Sequence, residues 1–178
     1  MNGLMLPGRL LFLVDTHVNY DPTAEQIAEI YNYYVLNSHA TFEIEAVGVD
    51  EIENRIHEIS AKYPYFVLVE ENEILGYAYA SLYKTRAAYK PSVEISVYVR
   101  NGIHQKGIGT KLYTKLFEEL GKSKVHAIIA GISLPNEASV KLHENFGMKK
   151  VAHFEEVGFK LGHWIDVGYW EVINDKES

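Results

Sequence analysis

A chain of 178 residues, 47% of them apolar, is long enough for one domain, residues 1–178, to bury a core without staples. It has no cysteine, which excludes disulfides, thiolate metal sites and a cysteine nucleophile. A net charge of -7 argues against general nucleic-acid binding but leaves room for a local basic site that holds an anion.

The run Leu10–Val14 predicts a short strand. It is too short for the apolar core of a signal peptide, and no stretch approaches the length of a membrane span. A soluble, cytoplasmic protein without a membrane partner is expected. Asp21-Pro22 supplies an N-cap and a first-turn proline for the helix AEQIAEIYNYYVLN, whose apolar face is Ile27, Ile30, Tyr31 and Tyr34. After the loop SHATFEIEAVG, a second helix runs from about Asp50 to Lys62, and Pro64 ends it. YFVLVEE and ILGYAYASLY predict a hairpin turning at Glu71-Asn72-Glu73. KTRAAYKPS is a basic loop, and VEISVYV is a strand by strict alternation. RNGIHQKG connects it to the helix GTKLYTKLFEEL, which the buried strand VHAIIAGI follows. LPNEASVKLHENFG is a turn and a helix closed by Gly147. MKKVAHFEEVGFK and HWIDVGYWEVI are the last two strands. The order β-α-α-β-β-β-α-β-α-β-β predicts a mixed α/β fold without linker or repeat.

Gly107 and Gly109 open a helix directly after a strand and a connector. Helix starts attract anions because their first N–H groups are unpaired and the dipole is positive there. A P-loop is excluded, since Ile108-Gly109 stands where lysine and a hydroxyl must follow Gly107. A dinucleotide fingerprint is excluded, since Leu112 replaces its third glycine. A helix cap without a ligand and a phosphate cradle both fit what remains.

Asn136, Ser139 and His143, spaced i, i+3, i+7, share one helix face. HENFG is not a metalloprotease motif, because Gly147 occupies the second histidine position. The other histidines show no ligand spacing, so no metal is expected. In VEISVYV, alternation places Glu94, Ser96 and Tyr98 on one face. A carboxylate inside a central strand is costly unless it has a partner or a task. Tyr98, Trp164 and Tyr169 face either a cleft or the core.

The x-x-G-x-G loop and LPNEASVKLHENFGM resemble the GNAT superfamily of N-acetyltransferases. That superfamily has a Gln/Arg-x-x-Gly-x-Gly/Ala pyrophosphate loop, with His104 here in the Gln/Arg place. VEISVYV, LYTKL, YASLYKTRAAY and VGFKLGHWIDVGYW narrow the resemblance to the phosphinothricin acetyltransferase family, with its methionine sulfoximine and sulfone acetyltransferases, over roughly Ile27 to Trp170. Residues 1–20 do not resemble the family's usual start.

The resemblance implies one domain with a mostly antiparallel sheet of six to seven strands, about four helices, and acetyl-CoA as cosubstrate. It implies that the amides of Gln105, Lys106, Gly107, Ile108, Gly109 and Thr110 hold the pyrophosphate. Asn136, with Ser139 on its helix face, would contact the pantetheine arm, and His143 would sit beside the sulfur. The backbone at Val97–Val99 would polarise the thioester carbonyl. Glu94 matches the family's base and His143 its partner or acid. Lys84, Arg86 and Tyr89 match a K-x-R-x-x-Y near the acceptor, and Phe42 an aromatic of its pocket. A homodimer is implied as well. The activity expected is direct acetyl transfer, in a ternary complex, to the α-amine of a small amino-acid analogue. Another amine (an aromatic amino acid, a polyamine or a protein N-terminus) and a non-catalytic acyl-CoA sensor stay open as alternatives.

Overall fold

The computed structural model describes residues 4–6, 9–15, 23–103 and 107–174. The Asp21-Pro22 cap and the loop residues His104, Gln105 and Lys106 lie outside them. The elements in order are β1 (Leu4–Leu6), β2 (Arg9–Asp15), α1 (Thr23–Asn37), α2 (Val49–Ser60), β3 (Tyr65–Glu70) and β4 (Glu73–Leu82), then β5 (Ser92–Val99), α3 (Ile108–Lys122), β6 (Ala127–Leu134), α4 (Glu137–Asn145), β7 (Lys149–Lys160) and β8 (His163–Ile173). They match the expected order with one addition, the short strand β1, which pairs antiparallel with β2. Among the described pairings, β5 with β6 is parallel and the rest are antiparallel, so the sheet is mixed and mostly antiparallel as expected.

Two compact units divide the chain. The first gathers residues 1–32, 47–80 and 96–119. In it β1, β2, β3 and β4 follow one another as an antiparallel meander. Glu71 and Asn72 take φ of 50° and 68°, the left-handed pair that a two-residue hairpin turn needs. α3 buries Ile108, Leu112, Tyr113 and Leu116, a helical stripe no more than 2% exposed. Five of the chain's 13 tyrosines pack together here. Tyr65, Tyr77 and Tyr79 stack nearly parallel on the β3–β4 pair, Tyr98 stacks on Tyr77, and Tyr31 meets Tyr98 edge-on. These five rings are structural aromatic packing.

The second unit gathers residues 33–46, 81–95 and 120–178. Its basic loop carries a single 3-10 turn, Ala87–Tyr89. β5 pairs with β6 from Ser92↔Ala127 to Glu94↔Ile129. β6 then pairs along its whole length with β8, and β8 with β7. The β7–β8 turn repeats the left-handed pair, at Leu161 and Gly162. α4 is capped by the Asn136 side chain, which accepts from the Ser139 N–H, and Gly147 leaves it at φ 79°.

Candidate active site

Register puts a strip of the second unit's sheet on one face. Residues directly opposite in an antiparallel pair point the same way, so Gly131 with Tyr169 and Ser133 with Val167 form two steps of that strip. Phe154 adds a third strand, opposite Val167. Glu94 joins at one end: a Cβ built on Gly131 would lie 3.3 Å from the Tyr169 ring and 3.5 Å from the Glu94 carboxylate. Glycine therefore leaves a floor over which that carboxylate is exposed.

These residues line a cleft of about 470 Å³, with Ala40, Phe42, Val157 and Gly158 as the remaining walls. That size suits a small ligand. Two local features raise the walls. Between Phe154↔Val167 and Gly158↔Ile165, three residues of β7 oppose the single residue Asp166 of β8. The Asp166 carboxylate braces this bulge, accepting from the Glu156 N–H at 2.9 Å and meeting His153 Nε2 at 2.7 Å. The bulge turns Val157 and Gly158 toward the cleft. The Phe42 ring then lies directly on Gly158, so close that a Cβ there would collide with it. Lys160, 3% exposed, pins the loop that carries Phe42, since its Nζ donates to the carbonyls of Thr41 at 2.6 Å and Tyr34 at 3.2 Å.

Electrostatics single out two groups. Glu94 is half-buried, and that burial raises its pKa above the ordinary carboxylate value. His143 is 3% exposed, and burial lowers its pKa, against a smaller opposing effect of its bond to Ser139. His143 Nδ1 lies 2.7 Å from the Ser139 carbonyl. A carbonyl only accepts, so Nδ1 carries a proton. Burial favours the neutral form of the imidazole. Tyr169 is also raised, first by burial and then by the charge of Glu94, while Lys84 acts the other way. Lys84 and Glu94 therefore both lie within electrostatic reach of one phenol.

The expected acceptor residues divide. Phe42 lines the cleft with Glu94. Lys84 and Tyr89 form a cluster with Tyr83, the Lys84 Nζ lying 4.8 Å from the Tyr83 ring and 5.2 Å from the Tyr89 ring. Lys84, Arg86 and Tyr89 are not among the cleft-lining residues, and Arg86 is exposed. Sequence reasoning missed Ser133, Gly131, Gly158, Phe154, Val157 and Val167. Isolated glycines inside strands were the available signal, since they mark bulges and close approaches.

The residues expected to hold the coenzyme belong to both units. In the first, Arg100 closes β5 by donating from its backbone N–H to Leu75 and from Nε to Ile74, at 2.8 Å each. Val97 and Val99 are half-buried on β5, just before that anchor. Gly102 and Gly107 take φ of 80° and 89°, a conformation that favours glycine. A Cβ on Gly107 would meet nothing within 4 Å, so its surroundings are open. The first intrahelical bond of α3 runs from Lys111 N–H to Gly107 C=O. The N–H groups of Ile108, Gly109 and Thr110 thus belong to the first turn, which a helix leaves to outside partners. An open, glycine-shaped helix start whose first N–H groups have no intrahelical partner fits a phosphate. In the second unit Asn136 spends its side-chain oxygen on the α4 cap, which leaves its amide nitrogen to donate outward. Ser139 offers His143 its carbonyl, with its hydroxyl 3.4 Å from the same ring nitrogen. Among the described residues no cluster of three or more His, Cys, Asp or Glu side chains could hold a metal ion.

A family profile described as an acetyltransferase (GNAT) domain matches residues 21–168. The chain is 40% identical over 149 residues to a phosphinothricin N-acetyltransferase of Streptomyces coelicolor, covering 82% of this chain and 87% of that one. It is 33% identical to a Salmonella typhimurium L-methionine sulfoximine/L-methionine sulfone acetyltransferase, covering 85% of this chain and 90% of that one. A crystal structure of a phosphinothricin acetyltransferase from Sinorhizobium meliloti in complex with acetyl-CoA superposes with a TM-score of 0.85 at 32% identity, covering 92% of this chain and 88% of that one.

Proposed function

Because this chain belongs to the GNAT acetyltransferase family, we propose that it transfers the acetyl group of acetyl-CoA to the α-amine of a small amino-acid analogue of the phosphinothricin, methionine sulfoximine or methionine sulfone type. The observation that carries the acceptor site is the cleft of about 470 Å³ that joins Glu94 to apolar walls.

Acetyl-CoA supplies an activated thioester. The chain's own residues do the rest. Glu94 takes a proton from the acceptor's ammonium, directly or through one water, so that the nitrogen lone pair can attack the carbonyl carbon. A C–N bond forms and the C–S bond breaks. The nitrogen sheds its surplus proton to water as the thiolate leaves, and the thiolate is protonated from solvent. A base works best with a pKa near the working pH, and burial moves Glu94 in that direction. Burial favours the neutral form of His143, and its Nδ1 proton is committed to the Ser139 carbonyl; this supports a positioning role at the sulfur. The amides of Gly107, Ile108, Gly109 and Thr110 hold the pyrophosphate with those of Gln105 and Lys106. Asn136 and Ser139 meet the pantetheine arm, and the Val97–Val99 backbone polarises the carbonyl. Lys84, with Arg86 and Tyr89, attracts the acceptor's carboxylate. Val151, Phe159, Leu161 and Trp164, each more than half exposed on β7, the turn and the start of β8, support a homodimer, which light scattering would measure directly. The need for acetyl-CoA supports a cytoplasmic location.

The test is thiol release from acetyl-CoA with phosphinothricin, methionine sulfoximine and methionine sulfone as acceptors. The protein has no cysteine and adds no thiol background. Glu94→Gln should lower turnover by about 100-fold or more at neutral pH, the usual contribution of a general base. Acetyl-CoA affinity should not change. Equal turnover in the variant would sink the base assignment, and release only with a different amine would discard the acceptor.

A further inference from the structure

We propose that Ser133 selects the acceptor's side chain: its hydroxyl binds the oxygen at the far end of an amino-acid analogue whose amine faces Glu94. This rests on the acceptor class proposed above and names the residue that reads it.

Ser133 is 7% exposed, its Oγ is fully shielded, and it has no hydrogen-bond partner among the described residues. Leaving a buried hydroxyl unpaired is costly, and buried polar groups are nearly always satisfied. Ser133 is also part of the cleft lining, so its side chain borders the space a ligand would fill, and a turn about its Cα–Cβ bond to another staggered position presents the unmet hydroxyl to that ligand. Sheet geometry says which part of the ligand. Gly131 marks the Glu94 end, its Cβ position being 3.5 Å from that carboxylate. Ser133 lies two residues further along β6, about 7 Å at the usual strand rise. In methionine sulfone or phosphinothricin, five bonds lead from the amine nitrogen through two methylenes to a sulfone or phosphinate oxygen, a path of comparable length.

The walls between agree with that shape. Val167 stands opposite Ser133, and Phe42, Phe154 and Val157 complete an apolar passage suited to two methylenes. The other polar side chains of the lining, Glu94 and Tyr169, belong to the Gly131 end. Lys84 acts on Tyr169, so the acceptor's carboxylate also belongs there. Ser133 is then the hydroxyl left for the distal oxygen. A site with a polar group waiting for an oxygen rejects the analogue that lacks it, because the group stays unpaired.

The experiment compares wild type and Ser133→Ala on methionine sulfone and on methionine, which share a skeleton and differ in the two oxygens. Ser133→Ala should lower kcat/KM for the sulfone about tenfold and leave methionine unchanged, so the preference ratio falls by the same factor. The KM for acetyl-CoA should hold. The melting temperature should not drop, since the variant removes only an unpaired hydroxyl. An equal loss on both acceptors, or a melting point several degrees lower, would assign the serine to structure and overturn the proposal. A wild type that acetylates neither acceptor would overturn the acceptor reading and this proposal with it, a result visible before any variant is made.

Discussion

Gly158→Ala tests how the acceptor wall is built. Gly158 has an ordinary backbone conformation, so alanine adds no φ strain, and the whole effect comes from its methyl group. That methyl would occupy the place of the Phe42 ring edge, so the ring must leave. Phe42 can do so: it is 42% exposed and can swing into solvent. A phenylalanine side chain buries about 150–250 Å² when fully covered. With a little over half of it covered here, the displaced ring gives up roughly 100 Å², or about 2.5 kcal/mol at 25 cal/mol per Å². That is an upper estimate, and loss of glycine freedom in the unfolded chain offsets about 0.4–1 kcal/mol of it. The net cost of about 1.5–2 kcal/mol corresponds to a melting point roughly 3–8 °C lower for a chain of this size. Function should suffer in a different way. Losing one aromatic wall of the cleft removes about 50 Å² of apolar contact with the acceptor, about 1.3 kcal/mol or close to tenfold in acceptor KM. The assay is steady-state kinetics against each substrate in turn, for the single variants and for the Phe42→Ala/Gly158→Ala pair. Acceptor KM should rise, acetyl-CoA KM should hold, and the effect of Gly158→Ala should vanish once Phe42 is already alanine. An equal rise in acceptor KM in both backgrounds would refute the wall.

Two further outcomes follow from the same geometry. Lys160→Met removes the buried Nζ donor that the Thr41 and Tyr34 carbonyls share, at a cost of about 1–3 kcal/mol; the melting point should fall and acceptor KM rise, and an unchanged acceptor KM would show that the pin does not govern the Phe42 loop. Glu94 is raised in the folded protein, so its protonated form favours folding. Its contribution is fully present below the unfolded carboxylate pKa and is lost as pH rises through the folded one. Glu94→Gln should therefore be more stable than wild type at pH 7–8 and lose that advantage on acidification toward pH 4; thermal melts across that range check it, and a constant difference would refute it.

Much of the architecture was legible from local pattern. Strict alternation in VEISVYV placed Glu94 on the opposite face from Val93 and Ile95, and the latter two are buried at 0% and 3%. Gly147 closes α4 with φ 79°, as a glycine after a helix predicts. Gly107 takes the left-handed conformation just before α3, where a costly glycine needed a reason. What stayed hidden depends on register. VHAIIAGI reads as a strand buried throughout and stops one residue short of Ser133, so its pattern does not say that Gly131 and Ser133 face a cleft while Ile132 faces the core. The bulge between Phe154 and Gly158 comes from three residues of one strand facing one of its neighbour, and no single strand records that. Lys160 looks like any surface lysine until its two carbonyl partners, both more than a hundred residues away, are brought to it.

This division has a physical source. Holding a pyrophosphate by backbone N–H groups demands a local conformation, and local conformation leaves a mark in a few consecutive residues. Shaping a cleft demands agreement among distant strands, and its marks are scattered from Ala40 to Tyr169. Substitutions at Gly131, Ser133 or Gly158 reshape the cleft without altering the glycines at the start of α3. Acceptor choice is then free to change while the coenzyme loop stays as it is. On the proposed reading, the glycine-rich loop would then mark the reaction, whereas the residues of β6 and β7 would set the acceptor.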